Sequence, residues 1–301
     1  MISYQFVVKP FSFGALPSAL ALALLAAGCS PAKKYIVVGS ENSSEQIIVA
    51  EIVAQHLEHS LHEKIDRRLG LGNESILYQA ILSGEVTLYP DYAAAIAANI
   101  LKERPDPDAG IVRERVRAEM RRTAQLDLLD PLGYEATPVA VVSAVDAGKA
   151  KVQSLGDLAN SPFAWRLGVS YDFQQRADGL AALSAYRIPM AEQTRFMDAA
   201  QLFPSLDQGR VNMIVACACD GRLLSKQYAV LSDDKKAFPG YQAQLLVRED
   251  ALAAGPNLQP ALARLSGKID AAAVRKLTAA LDLDHRGPAQ VAAEFLAASF
   301  H

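Results

Sequence analysis

The chain has 301 residues, of which 51% are hydrophobic and 21% are charged, and its formal net charge is −3. A chain of this length can bury a sizeable core, either as one large domain or as two lobes. The mild acidity excludes the basic surface that nucleic-acid-binding proteins need, so we expect no nucleic-acid partner.

The N-terminus carries the features of an export signal. Residues 1–28 hold one charged side chain, Lys9, and an apolar stretch from Ala19 to Ala27. That stretch is shorter than the roughly 20 residues of a membrane-spanning helix. The small residues directly before Cys29 resemble the bacterial lipobox, in which the cysteine becomes lipidated. We predict a lipoprotein signal peptide at 1–28, a lipid anchor on Cys29 and a tether at 29–34; the alternative is an ordinary signal peptide.

Strand-like and helix-like segments alternate after the tether. β-rich runs predict strands at 35–40, 64–69, 86–89 and 139–142. Apolar residues at helical spacing predict helices at 47–57, 76–82 and 113–126. The first helix has two candidate caps, Asn42 and Ser43, because each is followed three residues later by Glu or Gln.

The alternation then restarts in the second part of the chain. Strands are predicted at 165–169, 194–196, 211–218 and 244–247, and helices at 155–160, 178–186 and 199–206. Only helices are predicted after that, at 258–265, 271–281 and 288–298. Strands that alternate with helices indicate an α/β fold with covered sheet faces, and the restart indicates two lobes.

The sequence contains no motif typical of an enzyme. Gly-x-Ser-x-Gly, phosphate-loop and His-Glu-x-x-His patterns are absent, and none of the five histidines adjoins a nucleophile motif. Cys217 and Cys219 are two residues apart in a predicted strand, so both side chains point to one face. They could bind a soft metal, but two cysteines make an incomplete site, and burial as small apolar groups is favoured. We therefore predict no catalytic residue, no cofactor and no metal.

Four motif-like stretches follow one another along the chain. They are Gly39–Gln46 (GSENSSEQ), Ala80–Tyr92 (AILSGEVTLYPDY), Asp172–Leu180 (DFQQRADGL) and Asp220–Tyr241, which contains DGRL, VLSDD and FPGY. In this order they resemble the glycine betaine, carnitine and choline-binding proteins of ABC importers. The resemblance implies a type II-like periplasmic-binding-protein fold, with the ligand in a cleft between two lobes.

The resemblance and the restarted pattern together predict where the lobes divide. We expect lobe 1 to contain residues 35–137 plus 242–301, and lobe 2 to contain residues 138–241. The implied partners are a small-molecule ligand and the permease and ATPase subunits of an ABC importer. The implied location is extracytoplasmic, with the protein held at the membrane by its lipid.

The resemblance also implies the ligand contacts. A betaine-type ligand has a quaternary ammonium, which aromatic faces attract, and a carboxylate, which suits the fork of donors on arginine. Tyr92 and Tyr241 stand where the family has tyrosines of an aromatic cage, and Arg176 stands where it has a carboxylate-binding arginine. We predict that these three residues bind the ligand.

The chain departs from the family pattern at several positions. Pro138 and Cys217 stand where the family has further cage tyrosines, and Glu41 replaces a lysine. Glu41 could pair with a protonated nitrogen of the ligand. Gln46, Cys217 and Thr137 are expected at the cleft from their places in or beside these motifs.

The predicted function is the capture of a small cationic or zwitterionic solute of the glycine betaine, choline or carnitine type for an importer. Tyr171, Phe173 or Phe203 could replace the missing aromatic surface. The alternatives are an amino acid or another amine as the ligand, and a sensory receptor as the role.

Overall fold

The structure is a computed structural model that describes residues 35–103, 106, 108–176 and 179–299. It contains two five-stranded sheets. The predicted signal peptide, the lipidated Cys29 and the tether lie outside the described residues. The strands are β1 (Val37–Gly39), β2 (Asp66–Arg68), β3 (Leu88–Tyr92), β4 (Leu126–Leu128), β5 (Pro138–Ser143), β6 (Leu167–Ser170), β7 (Arg195–Met197), β8 (Met213–Cys217), β9 (Tyr228–Leu231) and β10 (Ala243–Arg248).

Helices occupy most of the remaining described chain. They are α1 (Ser44–Leu61), α2 (Glu74–Ser83), α3 (Ala93–Ala95, continued by a π turn at Ile96–Ile100), α4 (Ala109–Ala124), α5 (Ala144–Ala150), α6 (Leu155–Leu158), α7 (Tyr171–Gln175), α8 (Leu180–Ser184), α9 (Leu202–Asp207), α10 (Glu249–Ala254), α11 (Leu258–Ala263), α12 (Ala271–Asp282) and α13 (Pro288–Ser299). Single 3₁₀ turns at Ala199–Gln201 and Gly221–Leu224 complete the described elements.

The two sheets share one topology. Sheet one has the order β2-β1-β3-β10-β4, and sheet two has the order β7-β6-β8-β5-β9. In each sheet three neighbouring strands are parallel. The fourth strand in the order, β10 in sheet one and β5 in sheet two, is antiparallel to both of its neighbours. In sheet one that strand is β10, which follows all strands of sheet two along the chain. The structure therefore confirms the predicted two-lobed α/β fold class.

Helix α1 forms the centre of the core beside sheet one. It begins at Ser44 because the Ser43 hydroxyl caps it, and it ends where His62 adopts a left-handed conformation with φ of 53°. Ile48, Ile52 and Leu57 are fully buried on it. The three C-terminal helices α11, α12 and α13 pack against it, so the last part of the chain covers the core formed by α1 and sheet one.

Two strands were missed by the sequence reading, and one predicted helix was placed too far along the chain. Strand β4 was missed because its first residue, Leu126, was assigned to the preceding helix, and the four residues of β9 show no alternation of apolar and polar side chains. The helix predicted at 113–126 is Ala109–Ala124, because Asp108 caps it through the N–H groups of Gly110 and Ile111. The short β4 follows directly.

A tight contact between the turn after β8 and helix α12 leads to a stability prediction. A Cβ atom at Gly221 would lie 2.5 Å from the Cα of Ala279, which is helix backbone and cannot move aside easily. We expect Gly221→Ala to lower the free energy of unfolding by about 1–3 kcal/mol. Gly148→Ala is the matched control, since Gly148 lies in α5 with nothing within 4 Å of its Cβ position. Urea unfolding should show no loss, or a small gain, for the control; equal stabilities for both variants would contradict the prediction.

Candidate ligand-binding cleft

A cavity of about 490 Å³ lies between the two sheets, at the carboxyl ends of their parallel strands. Tyr92 ends β3, Ser170 ends β6 and Cys217 ends β8, and all three line the cavity. In open α/β sheets, this edge is where ligands bind. Both sheets therefore supply residues to one cleft.

The turn from β1 into α1 forms one wall of the cavity. The Ser43 hydroxyl accepts a hydrogen bond from the Gln46 backbone N–H at 3.3 Å, so Ser43 is the cap and not Asn42. The cap places Glu45 and Gln46 in the first turn of the helix, where both are buried and line the cavity. A sequence motif for helix capping thus also positions the polar groups of the cleft.

A hydrogen-bond network holds Tyr92 against this turn. The Glu45 carboxylate accepts hydrogen bonds from the hydroxyl of Tyr92, at 2.6 Å, and from the hydroxyl of Tyr134. The side-chain amide of Gln46 donates to the Tyr92 hydroxyl at 3.0 Å. Burial raises the pKa of Glu45 above its ordinary value, although the two tyrosine hydrogen bonds act in the opposite direction. The Tyr92 ring is therefore fixed by partners on both sides of its hydroxyl.

The two predicted tyrosines touch each other, and the predicted arginine lies on one of them. The rings of Tyr92 and Tyr241 meet edge to face, with centroids 5.7 Å apart and an interplanar angle of 69°. The Arg176 guanidinium carbon lies 4.5 Å from the centroid of the Tyr241 ring. Such a separation is a cation–aromatic contact. The three residues carried over from the family pattern therefore form one cluster beside the cavity.

Glu41 lies in a strongly acidic part of the cleft. Burial, together with the nearby carboxylates of Glu74 and Glu45, raises the pKa of Glu41 to about 8. The Arg176 guanidinium lowers it, whereas Asp172 raises it slightly. A cation that enters the cleft therefore meets a carboxyl group that can change its charge near neutral pH.

Six of the seven residues predicted at the site line the cavity, and Thr137 is the exception. Tyr92, Tyr241, Arg176, Glu41, Gln46 and Cys217 are lining residues, as is Pro138. The Thr137 hydroxyl instead accepts a hydrogen bond from the backbone N–H of Tyr241 at 3.1 Å. Of the three aromatic residues considered as replacements, Phe173 lines the cavity, whereas Tyr171 and Phe203 are not among its lining residues.

The two cysteines are joined to each other. Cys217 and Cys219 form a disulfide across one intervening residue, so neither carries a free thiol. Strand β8 ends at Cys217; both cysteines line the cavity, and Cys219 is in addition buried in the core. The reading of both residues as small buried groups in one strand is therefore corrected, because the chain turns after Cys217. Within the described residues, no cluster of three or more His, Cys, Asp or Glu side chains is arranged to hold a metal ion.

Several lining residues were missed by the sequence reading. Asp220 pairs with Arg222 at 3.1 Å, and the Ser44 hydroxyl donates to Asp282 at the end of α12. All four residues line the cavity, and three of them belong to the C-terminal part of the chain. Asp220 and Arg222 belong to the quoted DGRL motif, which was a signal for them, whereas nothing near Asp282 in the sequence points to a site.

The chain is similar to solute-binding proteins over most of its length. It matches the family model for the substrate-binding domain of ABC-type glycine betaine transport systems over residues 34–298. It is 27% identical over 88% of its length to a Helicobacter pylori protein named ergothioneine transport permease/ergothioneine binding protein, of which it covers 47%. It is also 27% identical over 88% of its length to the carnitine transport binding protein of Listeria monocytogenes, of which it covers 86%.

A solved structure shows the same fold. The crystal structure described as that of a glycine betaine/carnitine/choline ABC transporter matches with a TM-score of 0.77 and 25% identity, covering 87% of this chain and 98% of that one. The chain spans about half the length of the Helicobacter pylori relative. None of the described helices is long and apolar enough to span a membrane. The family match confirms the resemblance found in the four motifs: the chain belongs to the family of substrate-binding domains of ABC-type glycine betaine transport systems.

Proposed function

We propose that the protein captures a small cationic or zwitterionic solute outside the cytoplasm and delivers it to the permease of an ABC importer driven by ATPase subunits. The cluster of Tyr92, Tyr241 and Arg176 beside the cavity carries this proposal. The names of the relatives support it, since one is a carnitine transport binding protein and another combines a permease with a binding protein. The protein acts by binding and release rather than by catalysis.

Two lobes contact the solute in the cleft. Lobe 1 contains residues 35–137 plus 242–301, and lobe 2 contains residues 138–241. The division is supported by the strands, because β1–β4 and β10 form sheet one, while β5–β9 form sheet two. The chain passes between the sheets near Thr137 and again near Tyr241. The Tyr241 backbone N–H donates to the Thr137 hydroxyl, and the Ala136 backbone N–H donates to the Tyr241 carbonyl, so hydrogen bonds link the two passages. The cationic part of the solute lies beside Tyr92 and the Tyr241–Arg176 pair, and Arg176 binds a carboxylate when the solute has one.

The ligand role is tested by calorimetry and thermal shift on the protein without residues 1–28, with betaines, choline and related amines as ligands. Ligand binding raises the melting temperature by mass action. We expect Tyr92→Ala and Tyr241→Ala each to weaken binding at least about tenfold, because the first removes an aromatic wall of the cleft and the second removes the ring on which Arg176 lies. Tyr171→Ala is the control, since Tyr171 is 50% exposed and is not a lining residue. No binding by any of these compounds, or unchanged binding in both cleft variants, would contradict the proposal.

The lipid anchor is a separate part of the proposal. We propose that Cys29 is lipidated after removal of residues 1–28, which holds the protein at the membrane through the tether. Cys29→Ser should release the mature protein from the membrane fraction, and mass spectrometry should find lipid on the wild-type N-terminal cysteine. Membrane association that is the same in the variant, with no lipid on the wild type, would show that the export signal is of the ordinary kind.

A further inference from the structure

We infer that the solute carries its positive charge on a nitrogen with at least one N–H, an ammonium or guanidinium group, and not on a fully methylated nitrogen. The inference deepens the proposed function and rests on it. It follows from two features of the cleft: Arg176 already covers the Tyr241 ring, and one buried acceptor, the amide oxygen of Gln46, has no donor among the described residues.

The aromatic surface that would hold a quaternary ammonium is small. Such a group cannot donate an ordinary hydrogen bond, so it depends on several open aromatic faces around it. Here Arg176 lies over the Tyr241 ring, and Tyr92 meets that ring edge to face. Tyr241 is only 1% exposed, and the lining at Pro138 and Cys217 is not aromatic. The protein's own guanidinium thus occupies the place of the expected cation on Tyr241.

The side-chain oxygen of Gln46 is an acceptor without a donor. The Tyr92 hydroxyl donates its hydrogen bond to Glu45, so toward Gln46 it can only accept. The amide nitrogen of Gln46 must therefore point toward Tyr92. The amide oxygen is left buried with no hydrogen-bond partner among the described residues, in a side chain 1% exposed that lines the cavity. A buried acceptor of this kind costs about 1–3 kcal/mol when it stays unsatisfied. A donor on the solute removes that cost, and a trimethylated nitrogen has none.

The charge of the cleft favours the same kind of solute. Glu41, Glu45 and Asp172 all line the cavity, and burial together with repulsion from neighbouring carboxylates raises the pKa of Glu41 to about 8. A cation beside Glu41 favours its ionised form, which then accepts a charge-assisted hydrogen bond. A methyl group attached to the nitrogen would lie between the charges and could not form that bond. Glu41 and Gln46 therefore act together as acceptors for one N–H-bearing cation.

The experiment compares matched ligands that differ by one methyl group. The pairs are choline with N,N-dimethylethanolamine, and glycine betaine with N,N-dimethylglycine, at neutral pH where the dimethyl members are protonated. Calorimetry on the mature protein should show tighter binding of the dimethyl member by at least about tenfold, the effect of one charge-assisted hydrogen bond. In Glu41→Gln this preference should fall at least about threefold. Glu85→Gln is the control, because Glu85 is exposed and is not a lining residue.

Each outcome has one meaning. Equal or tighter binding of the trimethyl member by the wild-type protein overturns the inference and leaves the proposed function intact. A dimethyl preference that Glu41→Gln and Gln46→Met both leave unchanged also overturns it, because the acceptors are then elsewhere. If no member of either pair binds, the proposed function fails and the inference fails with it. The wild-type comparison alone decides the matter should either variant not fold.

Discussion

Replacing Glu45 with alanine should lower the free energy of unfolding by about 2–4 kcal/mol. The change removes the acceptor for two buried hydroxyls, those of Tyr92 and Tyr134, and each unsatisfied buried group costs about 1–3 kcal/mol. The net loss is smaller than the cost of two unsatisfied hydroxyls, because the change also removes the cost of burying the Glu45 carboxylate, whose pKa is raised by that burial. The same change frees the Tyr92 ring, so ligand affinity should fall with stability.

Urea unfolding of matched variants checks this result. Tyr134→Phe removes one of the two hydrogen bonds and should cost about half as much as Glu45→Ala. Glu85→Ala alters the net charge equally at an exposed position and should change stability by less than about 0.5 kcal/mol. Should Glu45→Ala prove as stable as Glu85→Ala, the network would not stabilise the fold.

Affinity for a cation should rise with pH until about pH 8 and then level off. The pKa of Glu41 is raised to about 8, so in the free protein the group is mostly neutral below that pH. A bound cation favours the ionised form, so binding releases a proton, and a higher pH favours binding. Between pH 8 and pH 6 the affinity should fall by about ten- to a hundredfold, with tenfold per pH unit as the upper limit.

The measurement needs a ligand whose own charge does not change with pH. Choline fulfils this condition, and a guanidinium compound does so where choline binds too weakly. Calorimetry in buffers of different ionisation enthalpy counts the protons released, which should approach one at pH 7. Other charged groups face Glu41, namely Glu74, Glu45, Asp172 and Arg176, so the Glu41→Gln variant is the necessary reference. The affinity of this variant should not change between pH 6 and pH 8. If the affinity of the wild-type protein does not change either, ionisation of Glu41 is not coupled to ligand binding.

Local sequence patterns predicted much of the architecture. The strand and helix segments of the first hundred residues, the restart after Pro138 and the helical C-terminal part all occur in the structure. Such signals are readable because capping and apolar periodicity depend on residues only a few positions apart. Strand β4 was missed because it follows helix α4 directly and Leu126 was assigned to that helix, and β9 shows no local alternation; both are held by strands far away along the chain.

The candidate site was predicted in part from motifs. The residues matched to the family pattern, Tyr92, Tyr241 and Arg176, come together at the cavity although 149 residues separate the first from the second. Thr137 stands next to the site in sequence, but its side chain supports the backbone of Tyr241 instead of lining the cavity. Proximity along the chain does not determine which way a side chain points.

The sequence by itself determined the family, the α/β class and the chemical types of residue available to the cleft. Only the tertiary structure decided how they are used: Tyr134 reaches Glu45 across 89 positions, β10 returns to sheet one, and Arg176 lies on Tyr241. The physical reason is that burial and long-range contacts set the state of a polar group. Glu41 has an ordinary carboxyl in the sequence, and it titrates near pH 8 because the folded chain removes water from it and places other carboxylates beside it.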